Sequence, residues 1–364
     1  MLTRFDDYPI HQTPEPVAHA GTSDRNFYDR YFFHGYTAEA DLYFAAALGL
    51  YPNRRVMDAS FSVVRGGRQL SVHASRLAPR ERGETRVGPI AVEVDEPLRA
   101  VRLRVEHAEP GLAAELLFRA RTPALEEARQ TRRHEGRVFM DATRFTQLGA
   151  WEGHLEVSGE RIAVAPERVL GCRDRSWGIR PVGEREAGAP GAPPQIFWIW
   201  SPVHFDDFCT LVGQFEDEAG RPWHSHGVVT PTLRAGGEPE PLGGIAHRIR
   251  WQPGTRRAAA AEIDLVPFAG PPRTLVLEPL LAFPMLGIGY LHPEWGHGMW
   301  KGESAVAGET WDLADLDPLD PRHIHVQQLC RARLGEAEGI GVLEQLAIGP
   351  HAPSGFASLL DGAH

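Results

Sequence analysis

The chain has almost no lysine: Lys301 is the only one among 38 lysines and arginines in 364 residues. Schiff-base chemistry therefore has a single candidate, and arginine, which keeps its proton at neutral pH, carries nearly all the positive charge. Cysteine is scarce as well. Cys172, Cys209 and Cys330 are odd in number and far apart, which excludes a disulfide framework or a zinc signature, so each is read as a small buried apolar residue. No apolar run approaches membrane-spanning length, "LYFAAALGLY" being typical of the longest. The opening "MLTRFDDYPIHQTPEP" lacks the basic segment and apolar core of a secretion signal, and a cytoplasmic location is expected. A net charge of −10 argues against general nucleic-acid binding, because phosphates would be repelled. Walker, dinucleotide-binding and G-x-S-x-G patterns are missing, which disfavours nucleotide-dependent and serine-hydrolase chemistry.

Helical periodicity is scarce too; the best candidate, Thr122 to Glu135, reads as easily as a loop. What is present is alternation. "RVMDASFSVV", "AVRLRVEH", "AAELLFRAR", "FCTLVGQFED" and "HIHVQQLCRARLG" alternate with period two between Gly, Pro and Asp breaks, the pattern of an antiparallel all-β protein. The halves also match each other. "GGRQLSVHAS" aligns with "AGRPWHSHGV", placing Arg68 on Arg221 and His73 on His226, and "WEGHLEVSGE" aligns with "WKGESAVAGE". Two tandem β-domains of roughly eight strands each are expected, as barrels or sandwiches related by internal duplication. The boundaries read from the sequence are an N-terminal extension over 1–35, a first domain over 36–170 and a second over 171–364, opened by "RDRSWG".

That central motif carries a resemblance. An Asp–polar–polar–Trp–Gly element between two β-barrel halves resembles the lipocalin-like (calycin) family of carotenoid 1,2-hydratase, tocopherol cyclase and AttH-like proteins. "RDRSWGIRP", "GYLHPEWGHGMWKGE" and "GVLEQLAIGPHAPSG" look closer still to an uncharacterised bacterial branch of that group. The family element is approximately Asp-His-Asn-Trp-Gly; Asp174, Trp177 and Gly178 match it, whereas Arg175 and Ser176 depart. The resemblance implies a cofactor-independent acid–base lyase or isomerase: a hydratase, dehydratase or cyclase acting on a terpenoid, steroid or related lipid in a β-barrel cavity. Arg175 weakens the hydratase inference, since guanidinium cannot donate a proton as imidazole does.

Protonating an alkene requires an acid, aromatic faces for the cation and a second group to place water. Asp174 is the candidate acid, with His226, His292 or His297 as proton partner. Trp177, Tyr290 and Trp295 would line the cation's path, Trp300 would complete an aromatic loop, and Arg175 would anchor the substrate. Trp198 and Trp200 share one strand face in "QIFWIWSPVHF", either as a ligand wall or as packing between barrels. Glu344 is expected to pair with an arginine. Two other classes remain open: a non-catalytic lipid carrier, which a fixed cation at Arg175 favours, and a metal enzyme using the pairs His224/His226 and His323/His325. No cofactor is expected, and the oligomeric state is not legible.

Overall fold

In the computed structural model, residues 2–134, 136–184 and 194–364 are described. The first part of the chain forms β1 (Phe27–Thr37), β2 (Tyr43–Tyr51), β3 (Val56–Arg65), β4 (Arg68–Leu77), β5 (Arg86–Val87), β6 (Ile90–Glu96) and β7 (Ala100–Ala108). It continues through β8 (Leu112–Ala120), β9 (Leu125–Glu126), β10 (Gln130–His134), β11 (Arg137–Val157), β12 (Glu160–Val164) and β13 (Val169–Ile179). The rest supplies β14 (Ile196–His204), β15 (Phe208–Glu216), β16 (Pro222–Pro231), β17 (Glu240–Trp251), β18 (Ala258–Pro267), β19 (Arg273–Pro284), β20 (Ser304–Asp312), β21 (Val326–Leu334) and β22 (Ala337–Ile348). The all-β, two-unit architecture expected from the alternating runs is the one that forms. Eight strands of the second part close into an antiparallel barrel, β14-β15-β16-β17-β18-β19-β21-β22. The first part is a curled, open sheet ordered β4-β3-β2-β1-β13-β11-β8-β7-β6-β5, with β9, β10 and β12 added on β11.

Three details depart from the sequence expectations. The change of sheet falls after Ile179, so "RDRSWG" lies inside β13, paired on both sides by β1 and β11, and does not open the second unit. At the other end, β1 begins at Phe27, inside the segment read as an extension. β20 leaves the barrel altogether and pairs with β4, covering an edge of the first sheet. Of the two internal matches, the first holds in topology, because β3–β4 and β15–β16 are both hairpins. The second does not: Trp151–Glu160 ends β11 and turns into β12, whereas Trp300–Glu309 leads into β20. The ambiguous segment from Thr122 forms β9 and β10, antiparallel to β11.

The concave side of the first sheet holds the main core. Trp151 is fully buried there and meets Phe33, Phe44 and Phe118 edge-on at 5.9, 5.3 and 5.3 Å, while its Nε1 donates to the His34 carbonyl at 2.8 Å. The barrel interior is filled by Phe197, Ile199, Val212, Ile263, Leu275 and Leu343, all buried, so the expected ligand space inside this barrel is taken by side chains. On β14 the alternation sends Phe197 and Ile199 inward and Trp198 and Trp200 outward. Those indoles pack on the convex face of the first sheet with Phe32, Tyr43, Ala45, Ala47 and Cys172. All three cysteines are buried and free. Among the described residues no helix is long and apolar enough to cross a membrane.

Trp151→Ala should destabilise the protein by about 3–5 kcal/mol in urea unfolding, the range for emptying an aromatic core site. Trp300→Ala, at a residue 47% exposed, should change stability by no more than about 0.5 kcal/mol. Equal costs would contradict the different placements of the two tryptophans.

Candidate active site

β13 is paired on both edges, and its alternation sorts the central motif onto two sides. Arg173, Arg175 and Trp177 point to the concave side. There Arg173 donates to Gln147 Oε1 at 2.8 and 3.0 Å. Arg175 pairs with Asp29 at 2.7 Å and lies 3.9 Å from the Tyr31 ring centre. Gly178 then takes a φ of 131°, and a Cβ there would sit 2.1 Å from the Asp141 carbonyl oxygen; only glycine fits. Cys172, Asp174 and Ser176 point the other way, into the seam between sheet and barrel. Arg175 and Trp177 are therefore separated from Asp174 by the thickness of the sheet, and the motif does not form one site.

In the seam, Asp174 stands opposite Phe32 on β1 and Thr146 on β11. It is 7% exposed, and among the described residues none donates a hydrogen bond to its carboxylate. Burial raises its pKa to about 6, against the pull of Arg144 and Arg30 and with a smaller push from Glu127. Arg144 is committed elsewhere. Its Nε donates to Glu127 Oε1 at 2.8 Å and its Nη2 to Oε2, while Thr146 donates to the same carboxylate at 2.6 Å. Burial pushes Glu127 up, but Arg144 holds it below the ordinary carboxylate range. The Arg144 guanidinium also lies over Trp198 and Trp200, 5.2 and 5.5 Å from their ring centres. His224 and His226 border this group, each with Nε2 buried and unpartnered among the described residues. Burial lowers the pKa of both.

The seam continues past Asp174 to a second pair of arginines. Arg30 is 2% exposed; its Nη2 donates to the Tyr290 hydroxyl, and its Nε and Nη1 have no partner among the described residues. Arg180 lies over Tyr28 and Tyr290 at 4.8 and 5.8 Å. His297 and His325 meet Tyr290 edge-on at 4.7 and 4.6 Å. Burial, then Arg30 and Arg180, hold His297 well below its usual pKa. Glu344 closes this end. It accepts from Trp198 Nε1 at 3.0 Å, His325 Nε2 at 2.9 Å and Gln327 Nε2 at 2.6 Å, not from an arginine as expected. Burial raises Glu344, yet His325, Gln327 and the charge of Arg144 bring it down to about 2. Asp58, opposite Gly49 in the neighbouring ladder, is raised to about 7 by burial, while the Gly298 N–H, 2.6 Å away, opposes the shift.

The structure thus brings Asp174, His226, His297, Tyr290, Trp198 and Trp200 to one seam, and adds Arg30, Arg144, Arg180 and Glu127. It places three other candidates apart. His292 Nε2 meets Glu309 at 2.9 Å and His73 Nε2 meets the same oxygen at 3.2 Å. Trp295 stacks on His73 at 5.8 Å, and Trp300 is exposed at the surface. His73, His292 and Glu309 offer ligand atoms within 4.8 Å of one another. The tautomer argues against an ion: His292 Nδ1 accepts the N–H groups of Glu294 and Trp295 at 3.1 and 2.9 Å. That leaves the proton on Nε2, where a metal would need a lone pair. Of the paired histidines, His323 bonds the Asp317 carbonyl and His325 bonds Glu344, so that pair is not aimed at one ion, while His224 and His226 belong to no group of three or more possible ligands among the described residues.

A family model spans residues 2–357. The chain belongs to the family of unknown function DUF8625. No curated protein matches it. Among solved structures, this DUF8625 protein is similar to a protein described as an AttH from Nitrosomonas europaea, with TM-score 0.53 and 12% identity over 87% of this chain and 92% of that one. Kievitone hydratase from Nectria haematococca gives the same TM-score and identity over 87% and 88%. CghA with Sch210972 gives 0.52 and 10% over 89% of each chain. At these identities the likeness is one of fold, shared across both units.

A raised carboxyl pKa has a definite sign in stability. The unfolded chain loses the Asp174 proton near pH 4 and the folded one near 6, so the folded state binds more protons in between. Stability contributed here falls as pH rises from about 4 to about 6. Asp174→Asn should therefore be more stable than wild type at pH 7, by on the order of 2 kcal/mol, and lose that advantage toward pH 4. Denaturant unfolding at both pH values measures it; a variant less stable at pH 7 would mean that Asp174 is held as an ion pair.

Proposed function

We propose that this DUF8625 protein is an acid–base lyase or isomerase, of the hydratase, dehydratase or cyclase kind. It works without a cofactor on a small molecule held in the seam, with Asp174 moving the proton. The observation that carries this is the place of Asp174: buried and accepting no hydrogen bond from a described residue, so that burial pushes its pKa up to about 6. A carboxyl so placed can both take and give a proton near neutral pH. His226 on the Arg144 side and His297 on the Arg30 side are neutral imidazoles able to pass a proton on. The fold shared with kievitone hydratase supports the reading in general terms.

The electrostatics favour a different intermediate from the carbocation that an alkene hydratase would use. Three buried guanidiniums repel developing positive charge, and Arg144 already occupies the indole faces of Trp198 and Trp200. The same groups stabilise an oxyanion. The substrate is then an apolar terpenoid, steroid or related lipid skeleton bearing a carbonyl conjugated, or able to conjugate, with the reacting bond. In the dehydrating direction, Asp174 takes the proton beside the carbonyl and the electron pair moves onto the carbonyl oxygen, which Arg30 faces with its free donors. The pair then returns to form the C=C bond, and the β-hydroxyl leaves as water with the proton from Asp174. Hydration is the reverse.

Proton exchange tests this without the natural substrate. In D2O, a panel of cyclic enones and β-hydroxyketones should include compounds whose α-hydrogen the wild type exchanges for deuterium, read by NMR. Asp174→Asn should slow that exchange by about 10²-fold or more, the usual scale for a lost general base. Equal exchange by the variant would remove Asp174 from the chemistry.

A further inference from the structure

We propose that the concave side of the first sheet is a second binding site, separate from the seam, for a neutral and largely apolar small molecule with a flat ring system. The space is a cavity of about 1100 Å³ lined by Tyr31, Leu48, Leu50, Met57, Val92 and Trp177. Small-ligand pockets usually measure roughly 300–1,000 Å³, so it is ample for such a molecule. Trp177 points to a ligand. It sits on a strand paired on both sides, yet 39% of its surface is accessible, and among the described residues its one ring neighbour is Phe145, edge-on at 6.5 Å. An indole left this bare inside a sheet suits stacking on a ring.

The charge balance selects a neutral occupant. Three ion pairs stand on the wall: Arg175 with Asp29 at 2.7 Å, Arg129 with Asp141 at 2.6 Å and Glu93 with Arg104 at 2.9 Å. Of the other ionic groups there, Arg82 donates to the carbonyls of Val17 and Ala18 and Glu15 is exposed. Charges of both signs are thus spread over the wall, with no excess of one sign gathered at one point to favour a charged ligand. The N-terminal segment forms the roof, contributing Phe5, Ile10 and Val17. Arg82 fastens it at the Ala18 carbonyl, 2.6 Å away, and Asn53 at the carbonyls of Thr22 and Asp24, both 2.8 Å away. Chain that would otherwise trail in solvent is thus tied across the mouth of the cavity. Neither Asp174 nor its neighbours in the seam touch this space, because β1 and β13 stand between.

The neutral fluorophore N-phenyl-1-naphthylamine serves as probe in a fluorescence titration of the full chain. Saturable one-to-one binding is expected. Trp177→Ala should weaken it about 10-fold, the effect of losing one aromatic contact. Thr143→Trp, beside Trp177 in the β11–β13 ladder, should fill the space and abolish binding. Asp174→Asn should bind like wild type, and the anionic analogue 8-anilino-1-naphthalenesulfonate at least 10-fold more weakly. The proposal is overturned by non-saturable binding, or by wild-type affinity in both cavity variants at unchanged melting temperature. A loss caused by Asp174→Asn would put the probe in the seam, and tighter binding of the anion would refute the neutral class.

Discussion

The constraint on which the structure turns is that β13 lies mid-sheet, paired on both edges, while carrying three charges in succession. A strand cannot send neighbouring residues to the same side. Arg173, Asp174 and Arg175 must therefore be accommodated alternately, in two environments that do not communicate through contact. Burying a lone charge costs several kcal/mol, and each of the three is handled differently. Arg173 is given the Gln147 carbonyl and two aromatic rings, and Arg175 is given Asp29 and Tyr31. Asp174 is given cations that act from a distance and no donor in contact. That incomplete compensation leaves its proton exchangeable near neutrality.

The seam exists because the two units are docked closely. Across from the indoles of the barrel, β2 presents Ala45, Ala47 and Gly49 between its large core-facing residues. At Gly49 a Cβ would lie 2.7 Å from the Tyr51 hydroxyl oxygen and 3.0 Å from Asp58 Oδ1. Small residues there let the barrel approach the buried arginines and carboxyls. β20 and the loop carrying Tyr290 and His297 cross from the barrel to the first sheet, so the groups of the seam come from both units and from distant parts of the chain. The low dielectric that lifts Asp174 also strengthens the field of Arg30, Arg144 and Arg180 on anything bound between them.

The class of fold was legible because period-two alternation is a local signal, and each strand shows it by itself. The separation of Trp198 and Trp200 from Phe197 and Ile199 was legible for the same reason, although not which face looked inward. The site was legible only in part. Asp174 stood out through its motif, but Arg175 and Trp177 came with it by sequence adjacency, which on a strand means opposite faces. Arg30, Arg144 and Glu127 escaped notice because their pairing depends on which strands become neighbours: "YDRYFF" and "DATRFT" meet across β13 only in the folded sheet. The one local signal is Arg30, an arginine at a buried position of an alternating strand. His292 and Trp295 were drawn in by proximity to Tyr290, yet a loop with Pro293 and Gly296 can point its side chains several ways, and these two turn toward His73.

The most direct test of this account is the proton affinity of Asp174 itself. Carboxyl-¹³C aspartate labelling, with the Asp174 resonance assigned by its absence in Asp174→Asn, allows a titration by NMR. The expected midpoint lies near 6, about two units above a solvated aspartate. A midpoint at or below 4 would show a carboxylate stabilised by its arginines or by water, and would contradict a dry seam with a proton to transfer.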